Sequence, residues 1–279
     1  MIGIAKREAD RPERGAECRG VDRLADVAPA PVAPASRSEP IEHCVALSVV
    51  IPAHDEEAAI AELLREIAAA LDGLVDYEIV VVDDWSTDQT PVRLAEARRD
   101  FPQLRALRHD RCYGQSAALA TGIRAARGVW IATLDADGQN DPADIARIWQ
   151  IRDRAGLIVG HRVKREDSWL KRLSSRIANN VRRWMLHDDT PDTGCGLKLF
   201  RRDAFLSLPT FDHFHRFLPA LFIRQGHSVL STPVNHRPRR GGRSHYGIGN
   251  RMWVGIVDLL GVMWLSRRSV APRRVDELS

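Results

Sequence analysis

Two aspartates, one residue apart, carry the clearest chemistry of this chain: Asp135-Ala136-Asp137-Gly138-Gln139. The run ahead of them, Val129-Trp-Ile-Ala-Thr-Leu134, is apolar and reads as a buried strand. Side chains two apart on a strand share a face, so Asp135 and Asp137 are expected to aim two carboxylates at one point. Gln139 adds an amide oxygen just beyond. Hard divalent cations favour such oxygens. Mg2+ takes only one or two carboxylates and completes its shell with water and phosphate oxygens. The stretch therefore suits a divalent cation that holds a diphosphate. Taken alone it also fits a solvated acidic turn.

The elements that must position these groups alternate. Leu47-Ser-Val-Val-Ile-Pro52 is a short β-branched run, and an amphipathic pattern follows from Glu57 to Leu71. Tyr77-Glu-Ile-Val-Val-Val-Asp83 reads as a second buried strand, after which Thr90 and Pro91 are expected to open a helix as cap and first-turn residue. A weaker strand covers Leu104 to Leu107. Ser116 to Arg127 is helical in pattern and is expected to stop at Gly128. After the acidic stretch come a helix from about Ala143 to Arg154 and a strand at Leu157-Ile-Val-Gly160. Such alternation predicts an α/β fold with a mostly parallel sheet flanked by helices. Ligands bind such sheets at the carboxyl ends of the strands, so Asp83, Asp84, Asp135 and Asp137 should converge on one crevice.

The second half is less regular. Ser168 to Leu186 reads as a long helix, with Trp169, Leu173, Ile177, Val181 and Trp184 on one stripe. Gly196-Leu-Lys-Leu-Phe200 and Ser228 to Val234 look like strands. Trp253 to Leu265 is the last apolar piece, flanked by Arg251, Arg267 and Arg268. Its 13 residues would reach roughly 20 Å as a helix, against a hydrocarbon core of about 30 Å. It also carries Asp258. A membrane span is therefore not expected. The segment suits either the membrane interface or a docked position on the domain.

Composition narrows the function classes. The 279 residues carry a net charge of +4, unevenly spread. From His161 to Arg183 there are Arg162, Lys164, Arg165, Lys171, Arg172, Arg176, Arg182 and Arg183 against only Glu166 and Asp167. Such a face favours phosphate-bearing partners or an anionic membrane surface. Zinc-finger spacing and aromatic RNA-binding signatures are absent from the sequence, so nucleic acid is not an expected partner. The cysteines Cys18, Cys44, Cys112 and Cys195 are scattered, which indicates neither a disulfide framework nor a zinc site and suits a reducing cytoplasm. Residues 1–45 are rich in Arg, Glu, Ala and Pro and read as a disordered leader without an apolar signal core. A domain at 46–247 and a tail at 248–279, with an amphipathic membrane-surface helix, complete the expected organisation.

Four phrases occur in one order: Val49-Val-Ile-Pro-Ala-His-Asp-Glu-Glu57, Val81-Val-Asp-Asp-Trp-Ser-Thr-Asp88, Tyr113-Gly-Gln-Ser-Ala-Ala-Leu-Ala-Thr-Gly122 and Thr133-Leu-Asp-Ala-Asp-Gly-Gln-Asn140. Together they resemble the family 2 glycosyltransferases of the GT-A, nucleotide-diphospho-sugar transferase fold. Further phrases narrow the resemblance: Gly160-His-Arg162, the basic helix, Asp192-Thr-Gly-Cys-Gly-Leu-Lys-Leu-Phe200 and Arg239-Arg-Gly-Gly-Arg-Ser-His-Tyr246. These are similar to polyprenyl-phosphate glycosyltransferases of the dolichyl-phosphate mannose synthase and undecaprenyl-phosphate aminoarabinose or glucose transferase types. The resemblance covers about Leu47 to Tyr246.

By position, the resemblance implies that Pro52, His54, Glu56 and Asp83 hold the nucleotide, with Asp135 beside the diphosphate. His54-Asp55 stands where the family pattern usually has Tyr-Asn, which leaves the base in doubt. Asp135, Asp137 and Gln139 match the metal-binding phrase, for Mg2+ or Mn2+. Arg239, Ser244 and His245 fall on a loop phrase that closes over the donor phosphates, with His245 in place of the usual Lys. Arg162, Lys171, Arg172 and Ser175 match acceptor-phosphate positions. Asp192 matches an acidic position near the reaction centre and, with Asp137, completes the expected catalytic pair. Cys195, with no evident His partner in the sequence, is read as packing.

The implied activity is an inverting, metal-dependent transfer from a UDP- or GDP-sugar to a polyprenyl phosphate, giving a lipid-linked monosaccharide. An already ionised lipid phosphate needs positioning and neutralisation more than a base. The implied place is peripheral, on the cytoplasmic face of the membrane. Many relatives carry membrane helices after the matching region, so a separate membrane-spanning subunit stays open as a partner. Three other readings compete: a family 2 transferase acting on a saccharide hydroxyl, an inactive membrane-associated binding module, and a nucleotidyltransferase. The last would carry an early Gly-rich basic loop, which is not found between Val49 and Ile60.

Overall fold

The computed structural model describes residues 45–162, 182–183, 185–186, 188–238 and 250–268. The helix expected from Ser168 falls almost wholly outside them, as do the leader and the loop phrase from Arg239 to Tyr246. Residues 182, 183, 185 and 186 are helical.

The strands are β1 (Leu47–Ala53), β2 (Tyr77–Asp83), β3 (Leu104–Arg108), β4 (Trp130–Thr133), β5 (Leu157–Arg162), β6 (Lys198–Arg201) and β7 (Val229–Val234). They form one sheet in the order β3-β2-β1-β4-β6-β5-β7. β6 runs antiparallel to both neighbours, and the other strand pairs are parallel. The near-continuous apolar runs of β1 and β2 follow from this position, because both faces of the sheet are covered.

One face takes Leu47, Val49 and Ile51 of β1 and packs them on helix α1 (Ile60–Leu71) and helix α4 (Ala143–Trp149). In α1 the residues Ile60, Leu63, Leu64, Ile67 and Leu71 recur at helical spacing, and each is at most 1 % exposed. Burying each such side chain is worth about 1.5–3 kcal/mol over leaving it in water. Helix α2 (Thr90–Asp100) adds Leu94 to this core. The opposite face takes Val50, Val80, Val82 and Ile131 against helix α3 (Gln115–Ala125) and an aromatic group of Phe200, Phe205, Phe214 and Phe222. Helices α5 (Arg202–Leu206) and α6 (Leu218–Arg224) carry part of that group.

Several local expectations change. The expected cap Thr90 is itself the first residue of α2. Asp88 Oδ1 accepts from the Thr90 N–H at 2.9 Å, and Thr90 Oγ1 accepts from the Glu56 N–H at 2.9 Å. Helix α3 ends at Ala125, before Gly128. Gly128 serves a close approach instead: a Cβ there would fall 2.6 Å from the Ser48 N. Cys195 is a free, buried thiol.

The last apolar piece is longer than its pattern suggested. Helix α7 runs from Asn250 to Arg267, 18 residues or about 27 Å. Among the described residues no helix is long and apolar enough to cross a membrane. One side of α7 docks on the domain: Val262 is 1 % exposed, His213 Nδ1 meets Asp258 Oδ2 at 3.0 Å, and Arg224 Nε donates to the Leu265 carbonyl at 3.1 Å. The other side leaves Val257, Leu260 and Trp264 in solvent.

Candidate active site

The carboxyl ends of β2, β1 and β4 bring the expected acids to one edge of the sheet. Register pairs Ala53 with Asp83, so β1 and β2 end level. Asp83 and Asp84 are both buried. Asp83 Oδ1 accepts from the Ser86 N–H at 3.0 Å, and Asp83 Oδ2 lies 3.1 Å from Arg108 Nε. Asp84 braces the loop before α3, accepting from the Tyr113 N–H at 2.9 Å and the Gly114 N–H at 2.6 Å. Its carboxylate also meets His109 Nδ1 at 2.7 Å. His54 Nδ1 lies 2.8 Å from the Asp84 carbonyl oxygen, which accepts from the ring when that nitrogen carries the proton. Pro52 pairs with Val82 in the sheet, and the Glu56 backbone ties the next loop to Thr90. The nucleotide-side residues of the sequence reading thus lie together.

The acidic stretch differs from expectation in its local geometry. β4 stops at Thr133, so Asp135 to Gln139 form a turn beyond the strand, not a strand face. Gly138 takes φ 72°, a left-handed conformation that costs glycine little. The turn closes on itself, with the Gln139 N–H donating to Asp137 Oδ1 at 3.0 Å. Asp137 is 5 % exposed. Gln115, at the start of α3, donates from Nε2 to Asp135 Oδ1 at 2.9 Å. Asp135 lies against Gly196, where a Cβ would fall 2.5 Å from Asp135 Cγ. Only a residue without a side chain leaves that carboxylate its place.

Among the described residues no group of three or more His, Cys, Asp and Glu side chains surrounds a common point. Two carboxylates in an all-oxygen setting nonetheless fit a hard divalent ion whose remaining ligands are phosphate and water. The donor set of Asp135, Asp137 and Gln139 passes that chemical test, and thiolate and imidazole are absent from it.

Beyond β4 lies a second cluster. Arg162, at the end of β5, donates from Nε to Asp192 Oδ2 at 2.6 Å and from Nη2 to Asp192 Oδ1 at 2.8 Å. This is the bidentate fork a planar guanidinium makes with a carboxylate. The Asp192 hydrogen bonds hold the Arg162 guanidinium above its ordinary pKa, with burial opposing them. Asp135 lies near enough to add to the same effect. The loop that presents Asp192 is tied from three sides. Lys198 Nζ donates to the Cys195 carbonyl, Thr133 Oγ1 donates to the Gly196 carbonyl at 2.6 Å, and Arg182 donates to the Thr190 carbonyl and Thr193 Oγ1.

Arg182 corrects part of the basic-face expectation. It is buried, and its Nε lies 3.4 Å from Asp188 Oδ2, so it braces the loop and is not offered to a phosphate. Lys171, Arg172, Ser175, Arg239, Ser244 and His245 lie outside the described residues.

Lys198 is the residue that sequence reasoning missed. It pairs with Thr133 in the sheet and is 3 % exposed. Burial pushes its pKa down, while Cys195, Asp135 and Asp192 pull it back up. A lysine inside the apolar strand Leu197-Lys-Leu-Phe200 is itself the signal, since a buried charge persists only where partners offset it. His215 also escaped notice. It meets Ser116 Oγ at 2.8 Å, and burial drives its pKa well down, so the ring is neutral. Cys195 behaves as expected: burial raises its thiol, which leaves it a poor nucleophile.

Residues 48–208 match Glycosyl transferase family 2. The dodecaprenyl-phosphate galacturonate synthase of Rhizobium johnstonii is 36% identical over 236 residues, which are 81% of this chain and 69% of that protein. The undecaprenyl-phosphate 4-deoxy-4-formamido-L-arabinose transferase of Edwardsiella ictaluri is 35% identical over 205 residues, 72% of this chain and 63% of that protein. The chain thus spans about two thirds of the length of these curated relatives. Among solved structures, Staphylococcus aureus TarS with UDP-GlcNAc superposes with TM-score 0.56 at 18% identity, over 82% of this chain and 68% of that one. Mycobacterium tuberculosis glucosyl-3-phosphoglycerate synthase, held with Mn2+, UDP-glucose and glycerol 3-phosphate, gives 0.55 at 20% identity over 80% of both chains. These neighbours have the GT-A fold, as the sequence phrases implied. The chain is a member of glycosyl transferase family 2.

Proposed function

We propose that the chain transfers a sugar from a nucleoside diphosphate to the phosphate of a polyprenyl lipid, with inversion at the anomeric carbon. The relatives that match over most of the chain are polyprenyl-phosphate sugar transferases, which supports the acceptor class. The observation that carries the reading is the Arg162–Asp192 fork. Both oxygens of Asp192 already accept from Arg162, so Asp192 is ill placed to take a proton from a sugar hydroxyl. A lipid phosphate needs no such base.

Asp135, Asp137 and Gln139 would hold Mg2+ or Mn2+, which when bound neutralises the charge building on the leaving diphosphate. Pro52, His54, Glu56 and Asp83 hold the nucleotide. Arg162, with Lys171, Arg172 and Ser175, holds the acceptor phosphate, and Asp192 keeps Arg162 oriented. Arg239, Ser244 and His245 cover the donor phosphates. A phosphate oxygen attacks the anomeric carbon from the face opposite the diphosphate. The new C–O bond forms as the old one breaks, the electron pair leaves with the nucleoside diphosphate, and no proton need move. Residues 46–247 form the catalytic unit, residues 1–45 a leader and 248–279 a tail that rests on the cytoplasmic face of the membrane, with a separate membrane-spanning subunit as a candidate partner.

The test incubates the purified chain with polyprenyl phosphate, Mg2+ or Mn2+ and a panel of UDP- and GDP-sugars, and weighs the lipid products. A lipid-linked monosaccharide of inverted configuration is expected. Transfer to a saccharide hydroxyl alone, or none to lipid phosphate, overturns the reading.

A further inference from the structure

Among the described residues three non-glycine residues take positive φ: Asp55 at 54°, Trp85 at 62° and His213 at 62°. Aspartate tolerates this region because its short side chain can bond the local backbone, and Asp55 does so, with Oδ1 accepting from the Thr87 N–H at 2.7 Å. A bulky indole has no such compensation, and a left-handed tryptophan is a genuine outlier. Glycine would sit there without strain. Strain of this kind persists where surrounding structure over-determines it, and it concentrates at ligand sites.

The surroundings of Trp85 do over-determine it. The preceding residues Asp83 and Asp84 are buried and bonded as described. The Ser86 N–H is held by Asp83, and the Ser86 hydroxyl accepts from the Asp55 N–H at 3.0 Å. Arg108 is fixed in turn by Asp83 Oδ2 and by donating from Nη2 to the Ser86 carbonyl at 3.1 Å. Its guanidinium carbon lies 5.3 Å from the centre of the Trp85 ring. The result is a flat cationic and aromatic surface, rigidly held, with Trp85 44% exposed. A side chain strained in its backbone and left half in water contributes little to the core.

Position in the sheet says what such a surface would meet. Trp85 follows the end of β2, whereas Asp135 and Asp137 follow the end of β4, with β1 between. Two strand spacings are about 10 Å. A nucleoside diphosphate lying across these ends, with its phosphates at Asp135 and Asp137, puts its base on the β2 side. Every base has a π face, and an aromatic ring or guanidinium plane stacks on it without regard to its hydrogen-bonding edge. His54 directly follows β1 beside the same point and is tied to the Asp84 carbonyl.

We propose that the Trp85–Arg108 surface is a stacking platform for the base of the donor nucleotide, making Trp85 a determinant of donor affinity. This rests on the nucleotide-donor reading above. The test is calorimetric titration of the whole chain with UDP and with GDP, in Mn2+, for the natural sequence, Trp85→Gly and Trp85→Phe. Trp85→Gly relieves the backbone and removes the platform; Trp85→Phe keeps a ring. The expected result is a Kd at least tenfold higher for Trp85→Gly and within about threefold of the parent for Trp85→Phe. In turnover, the donor KM should rise in Trp85→Gly while the lipid-phosphate KM stays put. Parent and Trp85→Gly chains that bind the nucleotides equally well overturn this inference alone. Failure of the parent chain to bind either nucleotide overturns the donor reading and this inference with it.

Discussion

Arg162 and Asp192 meet fork to fork, 2.6 and 2.8 Å apart at their two contacts, across the gap between the end of β5 and the loop before β6. The pair is mostly buried, with side chains 17% and 6% exposed. Removing one partner of a buried pair leaves an uncompensated charge and typically costs about 3–5 kcal/mol. Arg162→Ala is therefore expected to lower stability by about that amount in urea unfolding. Of the two substrates it should raise the half-saturating lipid phosphate tenfold or more, and the nucleotide sugar much less. Arg162→Lys keeps the charge but not the fork, and should fall between. Equal weakening for both substrates removes Arg162 from the acceptor side.

Asp137 is held by its own turn and, with Asp135, supplies carboxylate oxygens to an oxygen-only donor set. Asp137→Ala should leave a cooperative thermal transition close to that of the parent chain, yet reduce transfer by orders of magnitude, since the leaving diphosphate is then poorly neutralised. Mn2+ binding followed by electron paramagnetic resonance should weaken in parallel. A folded variant with ordinary turnover and ordinary Mn2+ binding contradicts the assignment.

Lys198 gives a stability prediction with a definite sign. Burial holds its pKa below the ordinary lysine value. The folded chain therefore loses this proton at lower pH than the unfolded chain does. Between the two values the unfolded state binds more protons, so the contribution of Lys198 to stability rises with pH across that window. While protonated, its buried charge is a cost. Lys198→Met removes the charge at similar volume, and its stability relative to the parent should be most favourable near neutrality and decline as pH rises into the alkaline range. Tyr77, pushed up to about 12, acts in the opposite sense but equally in both chains, so the difference isolates Lys198. Activity separates the two sides of its role: the variant should lose turnover, because the loop carrying Asp192 loses its tie at the Cys195 carbonyl. A difference in stability that is flat with pH sinks the assignment of the buried charge.

Much of this was legible in the sequence because it depends on local periodicity. The buried runs of β1 and β2 and the apolar stripe of α1 announce themselves by spacing alone. So does the order of the acidic phrases, since each lies where a parallel strand must end. What escaped depends on contacts distant along the chain. That β4 stops at Thr133 follows from its pairing with the short β6, which lies far along the sequence. The inward turn of Arg182 is set by Asp188 and Thr190, and a helical wheel cannot show it. Lys198 looks in sequence like one letter of an apolar strand, because its partners Asp135 and Asp192 approach only in the folded sheet. Gly128 looked like a helix stop, and its actual constraint is the Ser48 backbone.

Helix α7 supplies the last prediction. Val257, Leu260 and Trp264 are spaced three and four residues apart, and are 64%, 47% and 59% exposed. They form one stripe on the side away from Val262 and the Asp258–His213 contact. Arg267 and Arg268 follow at its end, with the Arg268 guanidinium 5.8 Å from the Trp264 ring centre. An apolar stripe bordered by cations suits the headgroup region of an anionic bilayer. Each cation near such a surface is worth about 1 kcal/mol, and salt screens it. Burial of the stripe adds a part that salt does not remove. Binding to anionic vesicles should therefore weaken with salt without vanishing. Trp264→Glu should abolish the salt-resistant part while leaving transfer to a detergent-dispersed lipid phosphate near its parent rate. The His213–Asp258 contact should hold the stripe outward, so His213→Ala should weaken vesicle binding as well. A parent chain that stays free of anionic vesicles at low salt contradicts peripheral attachment through α7, and one released only by detergent points instead to integral insertion or a bound membrane subunit.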